Sequence, residues 1–224
     1  FLLFSCSANE KLPVDYVDPF ICTQGDHGQW LPAALVPFGM IELCPDTYPG
    51  SLTADGDFAH SGYDYSDKQL RSFSHFHVGS SGGTSIDDRA GLFSMLPFTT
   101  AEIETLLKNP IVDFDKNSEK VRPGYYSVHL PGEDIFVELT AAAHSGYHKY
   151  HYPADKEAQL IISSHPGRVG GITLSKTGPQ KIEGILSVFD GIYFIIEFNS
   201  PLISTQLWDG RSLVKKESLE KESN

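Results

Sequence analysis

The sequence predicts an all-β fold, an antiparallel β-sandwich with long loops and one short helix, on three observations. From Val14 onward, short apolar runs alternate with Gly, Pro, Asn and Asp punctuation. Several of those runs alternate apolar and polar residues at period two, which turns one face to a core and the other to solvent. Only one stretch carries helix start and stop signals.

In chain order, strands are expected over 40–43, 70–78, 91–96, 125–130, 135–140, 146–152, 159–163, 182–188 and 192–199. Each is short, apolar or alternating, and bounded by turn residues. The clearest pair is Tyr125-Tyr126-Ser127-Val128-His129-Leu130 and Ile135-Phe136-Val137-Glu138-Leu139, joined by Pro131-Gly132-Glu133-Asp134. So short a connection requires an antiparallel hairpin. The helix is expected over 101–109, where Thr99 or Thr100 caps it, acids occupy its first turns and Pro110 ends it. Residues 14–70 differ from the rest: Asp15, Asp18, Asp26, Asp46, Asp55, Asp57, Asp64 and Asp67 lie among Gly, Pro and aromatic residues with little periodicity. Ordered loops of that length mark a ligand-facing surface.

The chain has 224 residues, 40% of them hydrophobic and 12% aromatic, enough to bury a core. Its formal net charge of -12, from 17 Lys and Arg against 29 Asp and Glu, excludes a nucleic-acid partner, because phosphate binding needs a basic surface. A neutral small molecule or sugar fits better. At the N-terminus, FLLFSCSANEK is an apolar run that stops at Cys6, and Leu3-Phe4-Ser5-Cys6 resembles a bacterial lipobox, whose Cys is lipidated. Residues 1–13 are accordingly read as the remainder of a signal peptide or lipoprotein leader. The expected location is exported, as a periplasmic or outer-membrane lipoprotein with a lipid anchor at Cys6. Residues 14–210 form one domain, and 211–224 a charged, frayed tail. Cys22 and Cys44 are expected as buried thiols.

Four constellations bear on chemistry. His75 and His77, at i and i+2 on a strand, share a face and are able to reach one metal ion. No Glu follows at the spacing a cupin-type site needs, so these are read as histidines bonding to loops or to a sugar. His144, His148 and His151 form a second set in which the first two share a face and the third points away. Gly79-Ser80-Ser81-Gly82-Gly83 matches the nucleophile-elbow pattern at Ser81, but no helix follows it. The acids of 46–67, with Asp87 and Asp88, offer many carboxylate pairs and no reason to prefer one.

The ordered series of landmarks is more specific than any one of them. Asp15-Tyr16-Val17-Asp18-Pro19-Phe20-Ile21 is followed by Gly25-Asp26-His27-Gly28, by Leu35-Val36-Pro37-Phe38-Gly39-Met40 and by Pro45-Asp46-Thr47. Ser61-Gly62-Tyr63-Asp64-Tyr65, Phe73-Ser74-His75-Phe76-His77, Pro123-Gly124-Tyr125-Tyr126-Ser127-Val128 and Glu138-Leu139-Thr140 complete it. Together they resemble the N-terminal β-sandwich domain of glycoside hydrolase family 92, the calcium-dependent exo-acting α-mannosidases, over residues 14 to 210.

That resemblance implies a galactose-mutarotase-like supersandwich packed on a C-terminal (α/α)6 domain of the same gene, with a mannose-containing glycan at their junction. It further implies an inverting hydrolysis whose acid, base and Ca2+ ligands come mainly from that second domain, so the isolated chain is expected to be inactive. On this reading His27, Trp30, Phe38, Tyr63, His75 and His77 supply the sandwich side of the sugar pocket, and no residue of this chain is catalytic or a metal ligand. Aromatic faces suit the apolar faces of a sugar, and His, Gln and backbone groups suit its hydroxyls. A stand-alone carbohydrate-binding or structural module is the alternative, and a metal-dependent hydrolase built on His75 and His77 is a third reading.

Overall fold

The computed structural model describes residues 11–24, 30–48, 61–77, 91–164, 171–188, 190–208, 213–214 and 219–220. A 3-10 turn at Pro13–Tyr16 precedes strands β1 (Cys44–Tyr48), β2 (Gln69–Ser74) and β3 (Phe93–Phe98). Helix α1 (Ile103–Lys108) and the short β4 (Val112–Asp113) lead into a meander of β5 (Asp115–Arg122), β6 (Tyr125–Leu130), β7 (Ile135–Ala141) and β8 (Gly146–His151). Then come β9 (Gln159–Ser164), β10 (Ile172–Gly178), β11 (Lys181–Leu186), β12 (Ile192–Glu197) and three two-residue strands, β13 (Leu207–Trp208), β14 (Leu213–Val214) and β15 (Leu219–Glu220).

Apart from the separate β13–β14 pair, these strands make three stacked layers. The central sheet runs β1-β2-β3-β9, with β4 against β2; the meander β5-β6-β7-β8 is one outer sheet and β12-β11-β10-β15 the other, and all named pairings are antiparallel. One apolar cluster joins the central sheet to the meander, through Leu70, Phe73, Leu96 and Phe98 on one side and Tyr126, Val128, Val137 and Leu139 on the other. A second joins the opposite side of β3, through Phe93 and Met95, to Leu186 of β11 and to Ile192, Phe194 and Ile196 of β12. The split follows from the strand pleat, because alternate residues of β3 point to opposite faces and both faces are covered. Each fully buried Leu, Ile or Val contributes about 1.5–3 kcal/mol, so the layers are held chiefly by these two clusters.

The expected all-β sandwich and its hairpin are found: β6 and β7 pair from Tyr125↔Thr140 to Leu130↔Ile135. Several boundaries differ. The strand expected over 40–43 is reduced to a single bridge, Ala34↔Leu43, and regular pairing starts only at Cys44. β2 stops at Ser74 instead of running on to 78. β3 extends through Pro97, which stands opposite Leu160 of β9, while β2 pairs with β3 only at Phe73 and Ser74. β5 and β10 went unrecognised because their residues, DKNSEKVR and ITLSKTG, do not carry a clean apolar alternation. The helix is shorter than expected and neither threonine caps it by side chain: the Thr99 hydroxyl bonds Glu133, and the Thr100 hydroxyl accepts from the Glu102 N–H. Cys44 is buried as expected, but Cys22 is exposed in a turn at φ 63°, and both are free thiols.

Candidate sugar-facing site

The ends of three loops lie against the β1–β2 pair of the central sheet, two directly and one through Ser61. Trp30, which follows segment 25–29, takes the Ser61 hydroxyl on its carbonyl at 3.2 Å. Gly62, beyond segment 49–60, accepts the Thr47 N–H at 2.9 Å. Gly91, beyond segment 78–90, packs so closely on Ser74 that a Cβ there would lie 2.0 Å from that of Ser74, so only glycine fits. Those three segments, with His27, Asp26, Asp55, Asp57, Ser81, Asp87 and Asp88, lie outside the described residues, as does Cys6.

Along this pair lies a buried polar cluster. Asp46 of β1 accepts from Ser74 (Oδ1, 2.9 Å) and Ser72 (Oδ2, 3.2 Å) of β2. His77 Nε2 lies 2.8 Å from Ser74 Oγ and 3.7 Å from Asp46 Oδ1, and its side chain is only 2% exposed. Its Nδ1 faces Glu42 Oε2 at 3.7 Å, and neither atom has a hydrogen-bond partner among the described residues. A serine, a histidine and an aspartate are thus in contact, but the serine stands between the other two. Activation of a serine needs the imidazole between hydroxyl and carboxylate, so this arrangement positions strand ends.

His75 goes elsewhere. β2 ends at Ser74, so the shared face expected for residues two apart on a strand is lost, and His75 packs on His148 of β8, ring centroids 4.7 Å apart. Its Nδ1 donates to the Phe93 carbonyl at 3.3 Å, which leaves Nε2 to accept from His148 Nε2 at 2.9 Å. His148 Nδ1 then accepts from the Tyr150 hydroxyl at 2.7 Å. The carbonyl, which only accepts, fixes the tautomer of both rings. Burial drives both histidines toward the neutral form, His75 down to about 4 with the Phe93 carbonyl opposing, and His148 well below its usual value. His151 faces the other side of β8 and bonds Glu138 at 2.7 Å, while His144 sits exposed in the preceding turn.

Tyr63 is fully enclosed as well. Its hydroxyl donates to Glu119 at 2.9 Å and accepts a hydrogen bond from Lys116 Nζ at 2.6 Å, and Glu119 also accepts from Tyr126. Lys116 is boxed by the rings of Phe20, Tyr63, Tyr65 and Phe114, its nitrogen 4.0–5.8 Å from their centroids. Burial, then Glu119, push the Tyr63 hydroxyl far above its usual value. Of the expected pocket residues, therefore, Tyr63, His75 and His77 are enclosed in protein, whereas Trp30 is half exposed and Phe38 wholly so, the latter at φ 59°. Asp64 closes a local turn through Ser66, and Asp67 accepts from the Thr47 hydroxyl of β1. Among the described residues no three His, Cys, Asp or Glu side chains are placed to hold one metal ion. Sequence reasoning missed two sets: Glu42, Asp46 and Ser74 around His77, and His148 against His75. The alternation of β8 does place His148 on the inner face, but nothing local names its partner.

Residues 16–224 match the profile described as "Glycosyl hydrolase family 92 N-terminal domain". The fold is similar to the family GH92 alpha-mannosidase BT3965 from Bacteroides thetaiotaomicron, with a TM-score of 0.68 and 25% identity over 85% of this chain and 26% of that one. It is also similar to the family GH92 inverting mannosidase BT2199 from Bacteroides thetaiotaomicron VPI-5482, with a TM-score of 0.73 and 23% identity over 93% of this chain and 28% of that one. The chain thus spans little more than a quarter of these solved proteins. No curated protein sequence matches it.

Proposed function

The chain belongs to glycosyl hydrolase family 92, matching its N-terminal domain, and we propose that it is the β-sandwich half of an exo-acting α-mannosidase, supplying one wall of a mannoside pocket. The observation that carries this reading is that Gly62 and Gly91, and Trp30 through Ser61, bring the ends of three loops against the β1–β2 pair of the central sheet. Loops positioned by a rigid scaffold are where ligand contacts concentrate.

The six pocket residues then divide by role. Trp30 and Phe38, with exposed rings, and His27 present surface to the sugar. His75, His77 and Tyr63 hold the strand ends and turns from which the loops spring, by the hydrogen bonds described above. A C-terminal (α/α)6 domain supplies the acid and base of an inverting hydrolysis, in which one carboxyl protonates the leaving oxygen and another activates water across a wider gap. Ca2+ belongs to that complete enzyme, with ligands mainly beyond this chain. In that setting it would polarise sugar hydroxyls through oxygen coordination. Export and lipidation at Cys6 complete the proposal, and mass spectrometry of the mature protein from its natural host tests the lipid directly.

The decisive experiment pairs this chain with the (α/α)6 domain of its own gene. Hydrolysis of an aryl α-mannoside is expected only from the two together, and Trp30→Ala in this chain should lower it at least tenfold. Hydrolysis by the (α/α)6 domain alone at the full rate would reduce this chain to a stand-alone binding or structural module.

A further inference from the structure

Half-buried Arg71 forms no ion pair with a carboxylate among the described residues. It sits at the β-bulge between β1 and β2, where the register passes from Asp46↔Ser72 to Thr47↔Leu70 and leaves it with no residue opposite. Bulges re-aim a side chain out of the regular ladder. Its guanidinium carbon lies 4.6 Å from the centroid of the Tyr48 ring, which props the planar group on one face. Its Nε is buried and has no acceptor. Lys116, Lys149 and Lys181 each take a carboxylate, at 2.6, 3.6 and 2.6 Å, whereas half-buried Arg71 takes none among the described residues, in a chain of net charge -12. The nearby Asp46 spends its oxygens on Ser72 and Ser74. Burial lowers the guanidinium's pKa against the opposing pull of Tyr48 and Asp46.

The fork of an arginine matches two oxygens of a carboxylate or phosphate, and a rigid prop reduces the ordering cost of binding them. Tyr48 ends β1 next to Thr47, whose N–H bonds the Gly62 carbonyl, and Ser61 beside Gly62 bonds the Trp30 carbonyl. We propose that Arg71, braced on Tyr48, anchors an anion subsite that takes a phosphate or carboxylate group carried by the glycan. That the group rides on a glycan rests on the function proposed above, but the subsite itself does not.

The test is calorimetric titration of the chain with four probes: methyl α-mannoside, mannose 6-phosphate, mannuronate and inorganic phosphate. The first three share the sugar and differ in the anion, and the fourth carries the anion alone. Mannose 6-phosphate or mannuronate is expected to bind at least tenfold more tightly than methyl α-mannoside, and which of them leads identifies the anion. Arg71→Gln should abolish that advantage, and Arg71→Lys should keep only part of it, as a point charge without the fork. Should Arg71→Gln fail to melt cooperatively, Tyr48→Leu takes its place, with at least a threefold loss expected for the anionic probes alone. Equal binding of charged and neutral sugars, or an advantage unchanged in Arg71→Gln, overturns the subsite. Arg71-dependent binding of inorganic phosphate with no binding of methyl α-mannoside upholds the subsite and counts against the mannoside pocket instead.

Discussion

Glu119 accepts hydrogen bonds from Tyr63 and Tyr126 and pairs with Lys116 while its own side chain is 1% exposed. Its removal leaves a boxed ammonium and two buried hydroxyls without the carboxylate that accepts from them. Glu119→Ala is therefore expected to cost about 3–5 kcal/mol, the cost of breaking a buried pair from one side, and Glu119→Gln less; urea unfolding measures both. The His75–His148 pair predicts a pH dependence. The unfolded chain binds protons on these imidazoles near pH ~6.5, whereas the folded chain holds both pKa values down. The stabilisation is thus fully present above about pH 6.5 and is lost as pH falls toward the folded value, at up to ~1.4 kcal/mol per pH unit for each histidine. The urea midpoint should drop between pH 7 and pH 5, and His148→Phe should shrink the drop by about half. A midpoint independent of pH in that range would show that the pair is not held neutral. The residue types of this network were legible as histidines of a strand, but not their pairing, because 73 residues separate the two rings.

At the scale of elements, the local pattern served well wherever one face of a strand is apolar. β7 alternates as expected, with Ile135, Val137 and Leu139 inside and Glu138 and Thr140 outside. β5 defeated the same logic because its inward residue is the charged Glu119, satisfied only by groups from other elements. β11 and β12 supply a sharper test of packing. An ideal Cβ on Gly184 would lie 2.2 Å from Phe194 Cζ, because the ring of the neighbouring strand lies across the glycine. Gly184→Ala should destabilise by about 1–3 kcal/mol through overpacking. Adding Phe194→Leu should recover part of that loss, and thermal melting of the single and double variants gives the coupling. If Gly184→Ala costs no more than an exposed alanine would, the contact is not tight.

Over the whole molecule, the three layers are unequally covered. The inner residues of β6 and β7 are completely buried, while those of β12 are only partly so, and Tyr193 and Ile195 on its outer side are largely exposed. Hydrogen exchange is expected to be slowest in β6 and β7 and at least tenfold faster in β12, since local opening follows the density of buried contacts. Uniform protection across the three sheets would refute that order. The amino-acid sequence by itself determined the class of fold, the β6–β7 hairpin and the family, because period-two patterning, turn chemistry and ordered motifs are written within a few residues of each other. Only the tertiary structure decided that His75 meets His148, that Ser74 separates Asp46 from His77, and that Arg71 makes no ion pair with an acid among the described residues. Those relations arise where stacked sheets and a bulge bring distant segments together, and no local period encodes which face of one layer will lie against which face of the next.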